Sequence, residues 1–338
     1  MDEDILTVDV IKKRAVKGAA ILTGRNILLQ LISFIAMALL TLFLAPFEYG
    51  TFFLVSAAIN FLAYFGDIGF AASLIQKKEK LENLELKTVF TAQTILTLAV
   101  LVVAFLATPF AANFFHFGQE AVYLFWALLF SLFLTSLKTI PTVLLERELE
   151  FNKWIIPQIV EALVFNIVAV TLAWKGFGIT SFTIAVLVRS FLGLFVTYLV
   201  KPWMPKISFS LKAFKSVLKF GVPYQMNTLL AMVKDDGMIL FLGGILGTSG
   251  VGFLGWAQKW AYAPLRFFMD QVIKVTFPAF SRLQQNKREL SLAVTKSIFF
   301  ICSLVFPSLV ILILTAPTLI EIIPKYNKWN PALFALSI

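Results

Sequence analysis

Long apolar runs, separated by short polar segments, occupy most of the chain. We predict membrane-spanning helices, which need roughly 20 apolar residues each, over residues 20–44, 51–75, 88–111, 120–144, 155–174, 178–200, 216–246, 250–280 and 291–316. A tenth run begins at Pro331 and continues to Ile338. The runs are too long for the strands of a membrane barrel and lack their two-residue alternation. The pattern therefore predicts an all-α polytopic membrane protein.

The composition points to the same class. Of the 338 residues, 59% are hydrophobic and only 14% are charged, against about 25% charged in ordinary soluble domains. A surface this apolar would aggregate in water, which argues against a soluble enzyme. A single cysteine (Cys302) rules out a disulfide framework, and a single histidine (His116) argues against a His/Cys metal site. We expect no metal and no cofactor.

The basic residues divide unequally between the two sides of the predicted spans. Nineteen of the 29 Lys and Arg residues lie on the side of the N-terminus, seven lie inside spans, and the opposite side holds only Lys175, Lys325 and Lys328. This bias predicts a cytoplasmic N-terminus, with an uncleaved first helix. The net charge of +10 then reflects topology, and we expect no nucleic-acid partner.

Two segments about 200 residues apart resemble each other. Residues 43–53 and 245–254 each contain the end of a long apolar helix, a short turn with glycine and an aromatic-rich start of the next helix. A repeat of this kind is typical of transporters, although two apolar hairpins can also resemble each other by chance. We predict an N-terminal six-helix bundle over residues 1–205. A C-terminal bundle over 206–338 would be truncated after about three and a half helices, and the intact protein would have at least twelve.

Charged residues inside the spans give the candidate site. In the eighth span, Lys259, Arg266 and Asp270 share one helical face, with Trp260 beside it. Buried charges are costly in a bilayer and usually line a cavity. The alternative is that they neutralise one another between packed helices. We favour a wet, positively charged cavity, because one structural ion pair would not need so many cations.

Other intramembrane charges extend the set. We predict that the substrate binds to Arg189, Lys234, Lys259, Arg266 and Trp260, and that the coupling or cavity acids are Asp67, Asp235, Asp236 and Asp270. Arg25, Lys138 and Lys274 lie near span ends, where long side chains snorkel to the interface. A positive cavity favours a phosphate-bearing substrate. The sequence contains no nucleotide-binding or catalytic motif, so we expect a transporter and not an enzyme.

Several motifs resemble those of a known family. They are Leu44–Gly50, Asp67–Phe70, Leu74–Lys77, Leu144–Phe151, Phe220–Pro223, Gly243–Gly252 and Phe277–Gln284. Together they resemble bacterial polysaccharide (O-antigen type) flippases of the multidrug/oligosaccharidyl-lipid/polysaccharide exporter superfamily. One position departs from the family pattern, because Met238 stands where the family often has aspartate.

The resemblance implies two pseudo-symmetric six-helix bundles around a central cavity. It implies alternating access that moves an undecaprenyl-pyrophosphate-linked oligosaccharide to the outer leaflet for O-antigen, capsule or exopolysaccharide synthesis. The expected partners are this lipid-linked oligosaccharide, membrane lipid and the polysaccharide polymerase machinery.

Three alternative functions remain open. A cation-coupled multidrug antiporter of the same superfamily would need Asp67, Asp235 or Asp236 to dominate the cavity. A membrane ligase or polymerase usually has a large outer loop, whereas the longest predicted here has about 15 residues. A non-transporting assembly scaffold has no positive support.

Overall fold

The structure is a computed structural model that describes residues 8–77, 79, 81–283 and 285–337. Side chains are described from residue 21 onward, except at positions 227, 267, 270, 271, 274, 275, 277–279, 281 and 282. The helices are α1 (Val8–Phe43), α2 (Pro46–Gly66), α3 (Phe70–Gln76), α4 (Asn83–Phe114), α5 (Gln119–Leu137), α6 (Thr139–Arg147), α7 (Phe151–Trp174), α8 (Thr180–Val200), α9 (Leu211–Met232), α10 (Met238–Leu283), α11 (Lys287–Ile322) and α12 (Ala332–Ser337). A π-helical turn (Val233–Gly237) joins α9 to α10, and a 3₁₀ turn (Tyr326–Trp329) precedes α12.

The protein is an all-α, multi-pass membrane protein, as the apolar runs predict. Eight helical stretches in the described part are long and apolar enough to cross a bilayer, and no strand occurs among the same residues. Their threonine hydroxyls bond to carbonyls one turn earlier, as Thr51 does to Phe47 at 2.7 Å. Such bonds satisfy a polar group that could find no water in lipid.

The predicted helix over residues 51–75 is wrong in one detail, because it is broken after Gly66. The carboxylate of Asp67 accepts a hydrogen bond from the backbone N–H of Phe70 at 2.8 Å and so starts α3 as a separate helix. Gly69 has a φ of +73°, a left-handed conformation that glycine adopts without strain.

Helix α10 is a hairpin with two arms, residues 238–246 and 248–283. Gly247 at the junction has φ +67° and ψ −178°. Leu54 of α2 contacts Gly243 in the first arm, and its neighbour Phe53 contacts Gly255 in the second. The chain therefore reverses at Gly247, as the predicted separate spans 216–246 and 250–280 require. We call the end of the molecule where α1 meets α2 the far end, and the end where α1 begins the near end.

Two glycines bring α2 and α10 into backbone contact at the far end. A Cβ on Gly50 would overlap the carbonyl oxygen of Thr248, and a Cβ on Gly252 would overlap that of Pro46. The contacts are reciprocal, since Gly252 and Thr248 each lie 202 positions after their counterparts Gly50 and Pro46. A two-fold axis between repeated units produces reciprocal contacts of this kind. The repeat seen in the sequence is thus matched by local geometry.

The same α2 surface continues to the near end. The Tyr64 hydroxyl donates to the carbonyl of Gln225 at 2.7 Å, and the Gln225 amide donates to the carbonyl of Tyr64 at 3.2 Å. Beyond them, Gly69 and Gly221 lie in backbone contact. Helix α2 therefore packs against the second half of the chain from one end to the other.

Helices α1, α2, α5, α7 and α8 share one apolar core, which includes Leu124, Ala169, Phe182, Ala185 and Val186. Inside it, the hydroxyls of Ser131 and Ser190 hydrogen-bond at 2.6 Å and join α5 to α8. After α8, residues 202–210 form a non-helical connection to α9. We place the boundary between the proposed bundles 1–205 and 206–338 in this connection, and that division stays a prediction.

Candidate functional site

The cation-bearing face of the second α10 arm is exposed. Lys259 and Arg266 are both exposed and lie seven residues apart, hence on one face of the helix. They are close enough for their charges to repel. The ammonium of Lys259 lies 4.9 Å from the centre of the Phe53 ring in α2, which gives it a cation–π partner and leaves its N–H donors available.

Arg189 lies on the other side of an aromatic cluster. Its guanidinium is 5.1 Å from the centre of the Phe165 ring. Phe165 stacks on Phe52 at 5.9 Å, and Phe52 lies 6.3 Å from Phe53. Arg189 and Lys259 therefore rest on the two ends of one aromatic cluster.

The two cations also lie at similar depth. Arg189 is nine residues from Thr180 at the start of α8, and Lys259 is eleven residues from Thr248 at the start of the second α10 arm. At 1.5 Å per residue, they lie about 14 and about 17 Å from the far end.

Trp260 lies where α1 meets α10. Its ring contacts Phe34 edge-on at 5.0 Å and Trp256 at 5.7 Å. The indole N–H of Trp260 is buried and has no acceptor among the described residues. This arrangement leaves an unpaired hydrogen-bond donor beside the α10 face that carries Lys259 and Arg266.

Two side-chain contacts join α1 to α10 toward the far end. The indole N–H of Trp256 donates to the Thr41 hydroxyl at 3.1 Å, and Phe34 contacts Trp260. We call this contact between the two helices the α1–α10 seam.

A second charged group lies inside the N-terminal half. Glu161 of α7 forms an ion pair with Lys138 and attracts Arg189. Its carboxylate occupies the space above Gly193 of α8, where a Cβ would overlap it. The expectation that Lys138 snorkels is wrong, because its side chain turns inward to this carboxylate and is only 17% exposed. Because the Lys138 ammonium is already partly desolvated, the ion pair with Glu161 stabilises it more than exposure at the membrane interface would.

Arg25 also departs from the snorkelling expectation. Its guanidinium donates to the side chains of Asn26 and Gln158 and lies 5.3 Å from the centre of the Trp154 ring. It therefore joins α1 to α7. Lys274, the third residue of that prediction, has its side chain outside the described part of the chain.

The π-helical turn places Asp236 and Asp235, two of the predicted cavity acids, in different surroundings. Asp236 accepts a hydrogen bond from the Asn60 amide at 3.2 Å and so faces α2. Asp235 pairs with Lys234 at 3.1 Å, and both side chains are exposed. No described contact joins Lys234 to the Lys259 face. A π-helical turn in a membrane helix frequently marks a functional position.

Of the remaining acids, Asp67 caps α3 as described above. Burial raises the pKa of the Asp67 carboxyl, while the backbone N–H groups that it accepts from oppose that shift. The side chain of Asp270 lies outside the described residues, so its predicted pairing with Arg266 stays a prediction. Among the described residues, no group of three or more His, Cys, Asp or Glu side chains could hold a metal ion.

Sequence reasoning misses three parts of this site: Thr41, Phe53 and Gly193. Each is an ordinary residue for a membrane helix, and its role depends on a partner more than 30 positions away. No local pattern indicates such pairs. The repeat gives a partial signal for Phe53, because its counterpart 202 positions later is Gly255, the residue it packs against.

Comparison with known families places this architecture. The family model described as "Polysaccharide biosynthesis protein" matches residues 39–333. The succinoglycan biosynthesis transport protein ExoT of Rhizobium meliloti (strain 1021) is 25% identical over 267 residues, 79% of this chain and 53% of that protein. The lipopolysaccharide biosynthesis protein WzxC of Escherichia coli (strain K12) is 23% identical over 339 aligned residues, 97% of this chain and 66% of that protein. The chain thus spans about half to two thirds of the length of these relatives.

Two solved structures share the fold. The lipid II flippase MurJ in an inward closed conformation superposes with a TM-score of 0.72 and 18% identity, covering 93% of this chain and 70% of MurJ. An inward-facing multidrug resistance MATE family transporter of the MOP superfamily gives 0.68 and 17% identity, covering 91% of this chain and 76% of that transporter. At these identities the likeness concerns the fold alone.

Proposed function

This chain belongs to the polysaccharide biosynthesis protein family, and on that premise we propose that it moves a lipid-linked oligosaccharide across the bacterial cytoplasmic membrane. The proposed substrate is an undecaprenyl-pyrophosphate-linked oligosaccharide, and the proposed mechanism is alternating access with the N-terminus in the cytoplasm. The far end is then the outer side. Relatives such as ExoT are transport proteins by name, which agrees with a transporter and not an enzyme.

The exposed pair Lys259 and Arg266 is the observation that carries this proposal. No described carboxylate pairs with either cation, and two cations on one face of a membrane helix would be very costly against lipid tails. We therefore assign that face to a wet cavity between the halves. Arginine binds phosphate oxygens in pairs, and lysine adds a point charge. The face therefore suits a pyrophosphate, which carries several negative charges in a small volume.

The aromatic residues next to these cations suit the glycan. Trp260 supplies an indole ring that packs against Phe34, and Phe53 packs against Lys259. Sugar rings pack their apolar faces on aromatic rings. An amphiphile with pyrophosphate between lipid and glycan would meet both kinds of group at once.

Under the proposed topology, the contacts of Trp256 with Thr41 and of Trp260 with Phe34 join α1 to α10 at the outer side. Export would require these outer contacts to open.

The alternative, a cation-coupled multidrug antiporter, has weaker support. It needs acids on the cavity face, whereas Asp67 caps a helix, Asp236 bonds to Asn60 and Asp235 pairs with Lys234. Among the described side chains of the α10 face, the exposed charged groups are the cations Lys259 and Arg266.

A gene deletion in the native bacterium separates the two functions. We expect loss of a surface polysaccharide, accumulation of its lipid-linked precursor in the cytoplasmic leaflet and unchanged drug resistance. Restoration requires the full-length protein. Intact surface polysaccharide together with altered drug resistance would overturn the flippase proposal in favour of the antiporter.

A further inference from the structure

The 3₁₀ turn Tyr326–Trp329 lies across the end of α1. The hydroxyl of Tyr326 donates to the carbonyl of Ala38 at 2.8 Å. The ammonium of Lys328 donates to the carbonyl of Leu42 at 3.0 Å, and the indole of Trp329 donates to that of Thr41 at 3.0 Å. Thr41 and Leu42 are among the last four residues of α1, whose carbonyls have no partner inside the helix. Side chains of the turn thus cap α1.

Thr41 is the point where three segments meet. Its carbonyl accepts from Trp329, and its hydroxyl accepts from Trp256 of α10 at 3.1 Å. The two indole rings stack on each other at 5.5 Å. Thr41 and Trp329 are fully buried and Trp256 is 3% exposed, so these hydrogen bonds are shielded from water.

A charge interaction extends the contact to α2. Lys328 lies near enough to Glu48 for their charges to attract. Glu48 in turn accepts from the backbone N–H of Ala45 at 2.5 Å, in the turn between α1 and α2. The ring of Tyr49 contacts Trp329 edge-on at 5.6 Å. The whole far end of the α1–α2 hairpin is therefore held by the 3₁₀ turn.

These contacts join the two halves of the chain, since α1 and α2 belong to the first half and the turn and α10 to the second. We propose that the turn Tyr326–Trp329 is an outer latch, which holds the cavity shut by capping α1 and is released when the cavity opens outward. The inference rests on the proposed alternating-access function. The latch consists mainly of side-chain hydrogen bonds to carbonyls, and water replaces such bonds readily once the seam opens.

A thiol reporter in the seam tests the latch. In the full-length protein with Cys302→Ala, Ala257→Cys places a small thiol at a position that is 1% exposed in α10. The latch variant combines Tyr326→Phe, Lys328→Met and Trp329→Phe, which remove the three donors and keep most of the packing. A membrane-impermeant maleimide is added to the outside of substrate-free cells or vesicles, and the labelling rate is measured.

We expect the latch variant to label at least about 25-fold faster than the parent, because each buried neutral hydrogen bond shifts an equilibrium by about fivefold. The matched control combines Tyr123→Phe, Lys175→Met and Trp174→Phe, the same residue types in exposed positions at the same end, and it should label as the parent does. An unchanged rate in the latch variant would overturn the proposal.

A second reporter distinguishes opening from unfolding. Ala185→Cys lies in the core of the N-terminal half, where Ala185 is fully buried, and it should stay unlabelled in the latch variant. Equal labelling of both reporters would overturn the latch by showing that the turn holds the fold together. Because no substrate is present, a failure here leaves the transport proposal standing, and a failure of transport leaves this result unaffected.

Discussion

The ammonium of Lys259 in α10 lies 4.9 Å from the centre of the Phe53 ring in α2. The contact crosses the interface between the two halves, and it gives a membrane-embedded cation a partner that does not neutralise it. A carboxylate in place of the ring would cancel the charge that an anionic substrate needs. The ring stabilises the lysine by about 0.5–2 kcal/mol and keeps its positive field.

Replacement of Phe53 by leucine should therefore weaken transport without unfolding the protein. We expect a 3- to 30-fold fall in transport rate, which corresponds to the loss of the cation–π interaction, measured in proteoliposomes with the full-length protein. Phe53→Tyr should retain most of the rate because it keeps the ring face. Phe299→Leu, at a ring that is 73% exposed, is the control and should have no effect. Equal rates for the leucine and tyrosine variants would contradict the assigned role.

Gly252→Ala should strongly destabilise the protein. The added Cβ would overlap the carbonyl oxygen of Pro46, which is backbone and cannot move aside cheaply. We expect a loss of about 3 kcal/mol or more, since overpacking a well-packed contact costs 1–3 kcal/mol even where side chains can adjust. Thermal unfolding in detergent measures it. Gly24→Ala has open space around the new atom and should leave Tm unchanged or slightly higher, and a similar fall in both variants would refute the close contact.

Lys138→Met should destabilise the N-terminal half by about 3 kcal/mol, because Glu161 loses its ion-pair partner inside the membrane and keeps the attraction of Arg189. Adding Glu161→Gln should recover most of the stability, since the unpaired charge is then removed. Lys153→Met breaks the more exposed pair with Glu150 and should cost less than about 1 kcal/mol. Denaturant unfolding of the four proteins checks this, and a double variant no more stable than Lys138→Met alone would argue against the pairing.

Substitutions of Asp67 distinguish a structural role of its carboxylate from the predicted coupling role. If its carboxylate serves as the helix cap, Asp67→Asn should keep both stability and transport, because asparagine caps helices equally well, and Asp67→Ala should lose about 1 kcal/mol. If it carries a coupling proton, the asparagine variant should fold normally and fail to transport. Transport in vesicles with and without a pH gradient, measured alongside Tm, distinguishes these outcomes.

The helical fold could be predicted from the sequence because each span is a run of apolar residues long enough to cross a bilayer. The points where the helices are interrupted could not be predicted in the same way. The Asp67–Gly69 break interrupts an apolar run only through a carboxylate that bonds to the following backbone. The π-helical turn at Val233–Gly237 gives no recognisable local pattern. Both features depend on hydrogen bonding, whereas hydropathy reports only burial.

The candidate site could be predicted in part. The shared face of Lys259 and Arg266 follows from helical spacing alone, and both are exposed in the structure. The prediction that Lys138 and Arg25 snorkel is wrong, because depth along a helix does not reveal which neighbours a side chain contacts. Their partners Glu161 and Gln158 lie on α7, and only the packing of helices identifies them.

Transport by the full-length protein with Lys259→Gln and Arg266→Gln tests the central claim most directly. The protein is reconstituted in proteoliposomes with a lipid-pyrophosphate-linked oligosaccharide, and Lys287→Gln with Arg288→Gln, at exposed positions after α10, serves as the control. We predict that the first pair lowers the transport rate at least about 100-fold at unchanged Tm, since hydrogen bonds to charged groups contribute about 1.5–3 kcal/mol each. A rate equal to that of the control would contradict the assignment of this face to the substrate.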